Sequence, residues 1–150
     1  MRGLDTNVLL RYLMADDPQQ SPIARSLLDT AEEEGGRFYL SLVALCELCW
    51  TLRGRPYSLD RLGLSDVVGK LLEARLFEIQ DRDLVRRALA DYRQGRADFA
   101  DYLIGWLNRS AGCSDTVSFD GKLDGAEGFS VLGAQSTEPP TRAPSMHAPP

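Results

Sequence analysis

Arg2-Gly3-Leu4-Asp5-Thr6-Asn7-Val8-Leu9-Leu10 reads as a short strand, about Arg2 to Asp5, that passes straight into a helix. Asp5, Thr6 and Asn7 stand at the junction, and short polar side chains of this kind satisfy the free N–H groups of a helix start. A strand that feeds a helix directly belongs to alternating α/β architecture, in which helices cross over between parallel strands and cover them.

The alternation continues along the chain. A second helix follows Ser21-Pro22, with proline tolerated in its first turn, and ends at Gly35-Gly36. Phe38-Tyr39-Leu40 is a strand, and Ser41 opens an apolar helix that carries Glu47 and stops near Gly54-Arg55-Pro56. Leu64, Val67, Val68, Leu71 and Leu72 recur at helical spacing, and Leu76-Phe77-Glu78-Ile79 alternates as a strand does. Leu84, Val85, Ala88, Leu89 and Tyr92 share one face of a helix ending at Gly95. Residues 98 to 111 form the next helix, with Phe99, Leu103, Ile104 and Leu107 expected to face the core and Gly112 closing it. Thr116-Val117-Ser118-Phe119 is a strand ending at Asp120, and Phe129-Ser130-Val131-Leu132 is the last one. The expectation is an α/β fold with a mainly parallel central sheet.

A chain of 150 residues is about one domain in size, large enough to bury a core without disulfides or structural metal. Residues 1 to 133 are read as that domain. Residues 134 to 150 are almost all small, polar or proline and bury too little surface to fold, so a disordered tail is expected there. No stretch reaches the roughly 20 uncharged apolar residues of a membrane span, and no signal-like apolar region forms at the start; the expected location is the cytoplasm. Cys46, Cys49 and Cys113 are an odd set for a disulfide framework. Cys46 and Cys49 make a C-x-x-C inside an apolar run, where two core thiols on a helix account for them. The one histidine, His147, lies in the proline-rich segment, which leaves no structural zinc set.

A formal charge of −5 does not announce a nucleic-acid binder. Acids concentrated around a divalent ion can mislead in this respect, because the ion reverses the local sign. Arg11, Arg53, Arg55 and Arg109 are candidate phosphate contacts, although each taken singly reads as solvated surface.

The acids fall at telling places. Asp5 and Asp120 end strands, and ligands bind at the carboxyl ends of strands in an open parallel sheet. Glu47 lies in the first turns of the helix after the second strand, and Asp98 and Asp101 lie in the first turn of the helix before Asp120. Asp98 and Asp101 share a helix face with Gly105 and Asn108, a polar strip suited to a pocket wall. Helix capping explains Asp98 equally well. Carboxylates with no histidine, nucleophilic cysteine or lysine among them suit Mg²⁺ or Mn²⁺, ions that activate water and stabilise charge in phosphodiester hydrolysis. The spaced acids of an EF-hand loop are absent.

Leu4-Asp5-Thr6-Asn7-Val8-Leu9-Leu10, Ser41-Leu42-Val43 leading to Glu47, Asp98-Phe99-Ala100-Asp101-Tyr102-Leu103-Ile104 with Gly112-Cys113 after it, and Ser118-Phe119-Asp120 together resemble the PIN domain, in particular the VapC toxins. The resemblance runs in order over residues 1 to about 133. It implies a three-layer α/β/α sandwich and Mg²⁺- or Mn²⁺-dependent endoribonuclease activity, with Asp5, Glu47, Asp101 and Asp120 as the catalytic and metal-binding acids and Asp98 as an accessory ligand. Thr6 and Asn7 would support the first acid through hydrogen bonds, and Ser118 keeps a hydroxyl where the family often has threonine. Trp106 stands where the family often has a small residue, so altered packing beside the pocket is expected. The resemblance further implies an RNA substrate such as transfer RNA, a homodimer, and a small antitoxin whose arginine enters the acidic cleft, with Trp50 and Leu52 as candidates for its border, although burial in the core explains Trp50 equally well.

Other readings of the same acids compete. Haloacid-dehalogenase-like phosphatases use D-x-D after the first strand, and Asn7 replaces the second acid here. A receiver-like Mg²⁺-binding regulatory domain wants an acidic pair near the end of the first strand and a lysine after the last. A catalytically silent PIN-like module that binds RNA or protein retains the same acids and differs only in activity.

Overall fold

The computed structural model describes residues 1–133; the segment read as a disordered tail lies outside the described residues. Among the described residues there are five strands and six helices, the helices lying in pairs between the first four strands: β1 (Arg2–Gly3), α1 (Thr6–Met14), α2 (Gln20–Glu33), β2 (Phe38–Leu40), α3 (Leu42–Arg53), α4 (Arg61–Glu73), β3 (Phe77–Ile79), α5 (Arg82–Gln94), α6 (Phe99–Ser110), β4 (Thr116–Ser118) and β5 (Phe129–Val131). A short 3-10 turn, Gly121–Leu123, separates the last two strands.

All described strand pairs are parallel. β1, β2 and β3 lie side by side in that order, with Gly3 opposite Tyr39 and Tyr39 opposite Glu78, while β4 and β5 form a second pair. The parallel α/β class expected from the alternation is therefore present, but the ladder is split into two sheets. Strands of two or three residues form few ladder bonds, so helix packing must hold the halves together.

The helix starts follow from local chemistry. Asp5 caps α1 by accepting the Asn7 N–H at 3.1 Å, and Ser41 caps α3 by accepting the Ala44 N–H at 3.2 Å. Asp60, a cap the periodicity left unassigned, accepts the Gly63 N–H at 2.7 Å and starts α4. Arg61 then reaches from α4 to the carbonyls of Tyr92 and Ala97, at 2.6 and 2.9 Å, and so fixes the turn from α5 into α6.

The core runs from Leu4 to Leu123. Leu45, Leu48 and Leu52 of α3 are fully buried, each contributing about 1.5–3 kcal/mol through removal of apolar surface from water. Phe38 and Leu40 of β2 point the same way as Phe77 and Ile79 of β3, all four buried, whereas Tyr39 and Glu78 on the other face are half-buried. One expected core residue is not in it: Ile104 is 47% exposed, because it falls beyond the edge of the α6 stripe set by Phe99 and Leu103. No described helix is long and apolar enough to cross a membrane.

Candidate active site

The junction of β1 with α1 meets the second turn of α3. Thr6 is 4% exposed, and its hydroxyl donates to Glu47 Oε2 at 2.9 Å, with the Ala44 carbonyl a longer alternative at 3.4 Å. The hydroxyl expected to support Asp5 thus supports Glu47 instead. Asp5 is held by the backbone N–H of Asn7, and both Asp5 and Glu47 present exposed carboxylates. This one hydrogen bond spans 41 residues and ties the first acid's helix to the second acid.

A second group of acids forms where α6 meets β4. Asp98 is the N-cap of α6, and Asp101 Oδ2 accepts the Asp98 N–H at 3.0 Å. Asp98 therefore does serve as a cap, as one of its two readings required. Asp120 follows β4, accepts the Lys122 N–H at 2.9 Å and donates its own N–H to the Ser118 hydroxyl at 3.0 Å. Burial pushes the Asp101 carboxyl above the ordinary carboxylate range, against the hydrogen bond from Asp98 N–H; the like charges of Asp98 and Asp120 push it further and the Lys122 ammonium opposes them.

The polar strip of α6, whose Gly105 lines the cavity of about 520 Å³, also docks the helix on its neighbours. Asn108 Nδ2 donates to Thr116 Oγ1 at 3.0 Å, and a Cβ on Gly105 would stand 2.5 Å from the Phe129 ring. Gly105 and Asn108 thus dock α6 on β4 and β5, which brings Asp101, a turn earlier on the same strip, within electrostatic range of Asp120. Lys122 was missed in the reading of the acids as free of lysine. Its signal was its place two residues after Asp120.

The structure joins Asp5, Thr6 and Glu47 on one side and Asp98, Asp101 and Asp120 on the other, and α3 packs against α6 between them. Among the described residues no three acids, histidines or cysteines come close enough to hold one ion. The donor set itself, carboxylate oxygens with no soft ligand among them, fits a hard divalent cation. Burial and like charge at Asp101 are relieved by any cation that enters. Cavities of about 660, 520 and 290 Å³ are lined by other residues, except that Asp98 reaches the smallest; Asp5 and Glu47 are exposed, whereas Asp101 and Asp120 are half-buried.

Trp106 turns to α5, donating to Asp91 at 2.7 Å, and the guanidinium groups of Arg87 and Arg109 lie 5.1 and 5.3 Å from its ring. Trp50 is 60% exposed, so core burial does not explain it, whereas Leu52 is fully buried and borders no surface. All three cysteines are free, and burial raises the thiol pKa of Cys46 and Cys49. Arg11, Arg53 and Arg109 are engaged by Asp16, the Leu59 carbonyl and Glu127.

Parallel strands covered by helices, with Asp5, Glu47 and Asp120 following strand carboxyl ends, define a parallel α/β protein. The PIN domain model matches residues 4–128, and the chain belongs to that family. It is also similar to a VapC ribonuclease of Aquifex aeolicus (strain VF5), 24% identical over 139 residues that cover 93% of this chain and 97% of the relative. No solved structure matches it significantly.

Proposed function

We propose that the chain is a metal-dependent endoribonuclease, the toxin of a VapBC-type toxin–antitoxin module. The observation that carries this reading is the Thr6–Glu47 hydrogen bond of 2.9 Å, which positions one acid by the helix that another acid caps. The PIN-family membership and the similarity to a VapC ribonuclease support it. Asp5, Glu47, Asp101 and Asp120 would hold Mg²⁺ or Mn²⁺, with Asp98 beside them. When bound, such an ion lowers the pKa of a water and neutralises charge building on the phosphate. Thr6 orients Glu47, Ser118 fixes the backbone at Asp120, and the first turn of α6 fixes Asp101. The expected substrate is RNA in the cytoplasm, with transfer RNA the first candidate. A homodimer and a small antitoxin complete the proposed assembly, with exposed Trp50 one turn from Glu47 as its docking point.

A second reading, a catalytically silent module, draws support from the lack of a three-acid cluster among the described residues. One assay separates the two. Purified protein freed of partners is incubated with total transfer RNA and Mg²⁺ or Mn²⁺, against EDTA and against Asp5→Asn. Metal-dependent cuts that vanish in the variant are expected. A folded, metal-binding protein that cuts none of a broad RNA panel would overturn the nuclease in favour of the silent module.

A further inference from the structure

At the opposite edge of the β1–β2–β3 sheet from Asp5 and Glu47 lies a cavity of about 660 Å³ lined by five arginines, Arg37, Arg75, Arg82, Arg86 and Arg93, against two glutamates. Arg37 immediately precedes β2 and Arg75 lies two residues before β3, whereas Asp5 and Glu47 follow the carboxyl ends of β1 and β2. A concentration of cations is unexpected in a chain of formal charge −5.

The helix α5 explains how it arises. Arg82, Arg86 and Arg93 fall on one stripe with Leu89, which is 3% exposed and seats the stripe against the body. Arg82 is half-buried and donates to the Leu72 and Phe77 carbonyls, so its guanidinium is fixed, and among the described residues no carboxylate pairs with it. Arg37 pairs with Glu78 at 3.3 Å and Arg86 with Asp83 at 3.1 Å, both at exposed positions. Exposed pairs of this kind are weak enough to exchange for a stronger anion. Arg75 and Arg93 make no side-chain hydrogen bond or ion pair among the described residues. Arg93 Nη2 lies 3.2 Å from where a Cβ on Gly69 would stand, so the absence of a side chain there leaves it room against α4.

We propose that this cavity binds phosphate groups. Guanidinium forks match phosphate oxygens two at a time, and clustered cations favour an anion carrying more than one charge over a single carboxylate. The phosphates come either from an RNA backbone or from a free phosphorylated small molecule. Only the first source rests on the proposed RNA substrate.

The test uses the full chain in EDTA, so that cleavage plays no part. Pyrophosphate binding is measured by calorimetry, and binding of a labelled single-stranded RNA by fluorescence anisotropy over a series of salt concentrations. Arg75→Ala/Arg93→Ala is compared with the wild type and with Arg25→Ala/Arg96→Ala, which removes equal charge outside the cavity. The cavity variant is expected to lose pyrophosphate affinity at least tenfold while the control keeps it. If RNA is the source, the slope of log affinity against log salt falls by about 1.4, from about 0.7 per lost phosphate contact. Loss of pyrophosphate binding with RNA binding unchanged assigns the site to a free phosphorylated molecule. Equal pyrophosphate affinity in both double variants, or none in the wild type, overturns the proposal. Failure of the nuclease assay leaves the pyrophosphate measurement untouched.

Discussion

Thr6 shows what a single buried hydroxyl can do for an exposed acid. Glu47 is exposed and on its own samples several rotamers; the donor at 2.9 Å selects one. Thr6→Val keeps the shape and removes the donor. We expect metal-dependent cleavage to fall about 10–100-fold, as for other groups that orient metal ligands, with a stability loss of about 1 kcal/mol. Thr6→Ser should restore most of the activity, and cleavage by the valine variant at the wild-type rate would remove Thr6 from any positioning role. Asp101 gives a prediction of opposite character. Burial raises its folded pKa above the unfolded value of 3.8, so between those two values the native state binds more protons and stability falls as pH rises. In EDTA, Asp101→Asn should therefore melt above the wild type at neutral pH, since an amide oxygen still accepts the Asp98 N–H. The gap should close by about pH 3, below the ordinary carboxylate range. Melting curves across this range decide it, and a variant less stable than wild type at pH 7 would contradict the charge argument.

Helix α6 is the element on which the acid geometry turns. Its apolar stripe, Phe99 and Leu103, was legible from spacing, and so were the caps at Asp5 and Ser41, because each depends on residues within four positions. What spacing could not reveal was that Gly105 and Asn108 serve β4 and β5. Those partners, Phe129 and Thr116, lie well beyond the helix in sequence, and a small polar strip looks the same whether it faces a strand or water. The Thr6–Glu47 bond was hidden for the same reason, and the arginines of α5 resembled an ordinary solvated face until Arg37 and Arg75 were brought beside them. Ile104 went wrong by a smaller margin, since apolar residues at a stripe's edge satisfy the helical period without being covered. The docking of α6 is testable at Gly105. A methyl group at 2.5 Å from the Phe129 ring must displace it, and overpacking of this kind costs about 1–3 kcal/mol. Gly105→Ala should lower the midpoint of urea unfolding accordingly and weaken cleavage by moving Asp120 from Asp101. An unchanged midpoint would mean that the ring relocates freely and that α6 is held elsewhere.

At the scale of the whole molecule, one small sheet lies between unlike charges: Asp5 and Glu47 follow the carboxyl ends of β1 and β2, while Arg37 and Arg75 precede β2 and β3 and join the arginines of α5. Three-residue strands at about 3.3 Å per residue separate them by roughly 10 Å, so the net charge of −5 conceals two unlike surfaces. Among the described residues the core runs from Leu4 to Leu123, and it is built from elements on both sides of the sheet. We propose from the composition of the remainder that residues 1–133 suffice for folding. The segment from 134 onward adds Met146 and a few alanines as its only apolar side chains other than proline, too little to contribute a second core at about 25 cal/mol per Å² of buried apolar surface. Deleting residues 134–150 should leave the melting temperature within about a degree and the urea m-value unchanged, because the m-value follows the surface exposed on unfolding. A fall of several degrees with a smaller m-value would show instead that this segment packs on the domain, and its docking site would then have to be sought on a surface that the first 133 residues leave apolar, with Val43 and Trp50 on α3, 77% and 60% exposed, the first place to look.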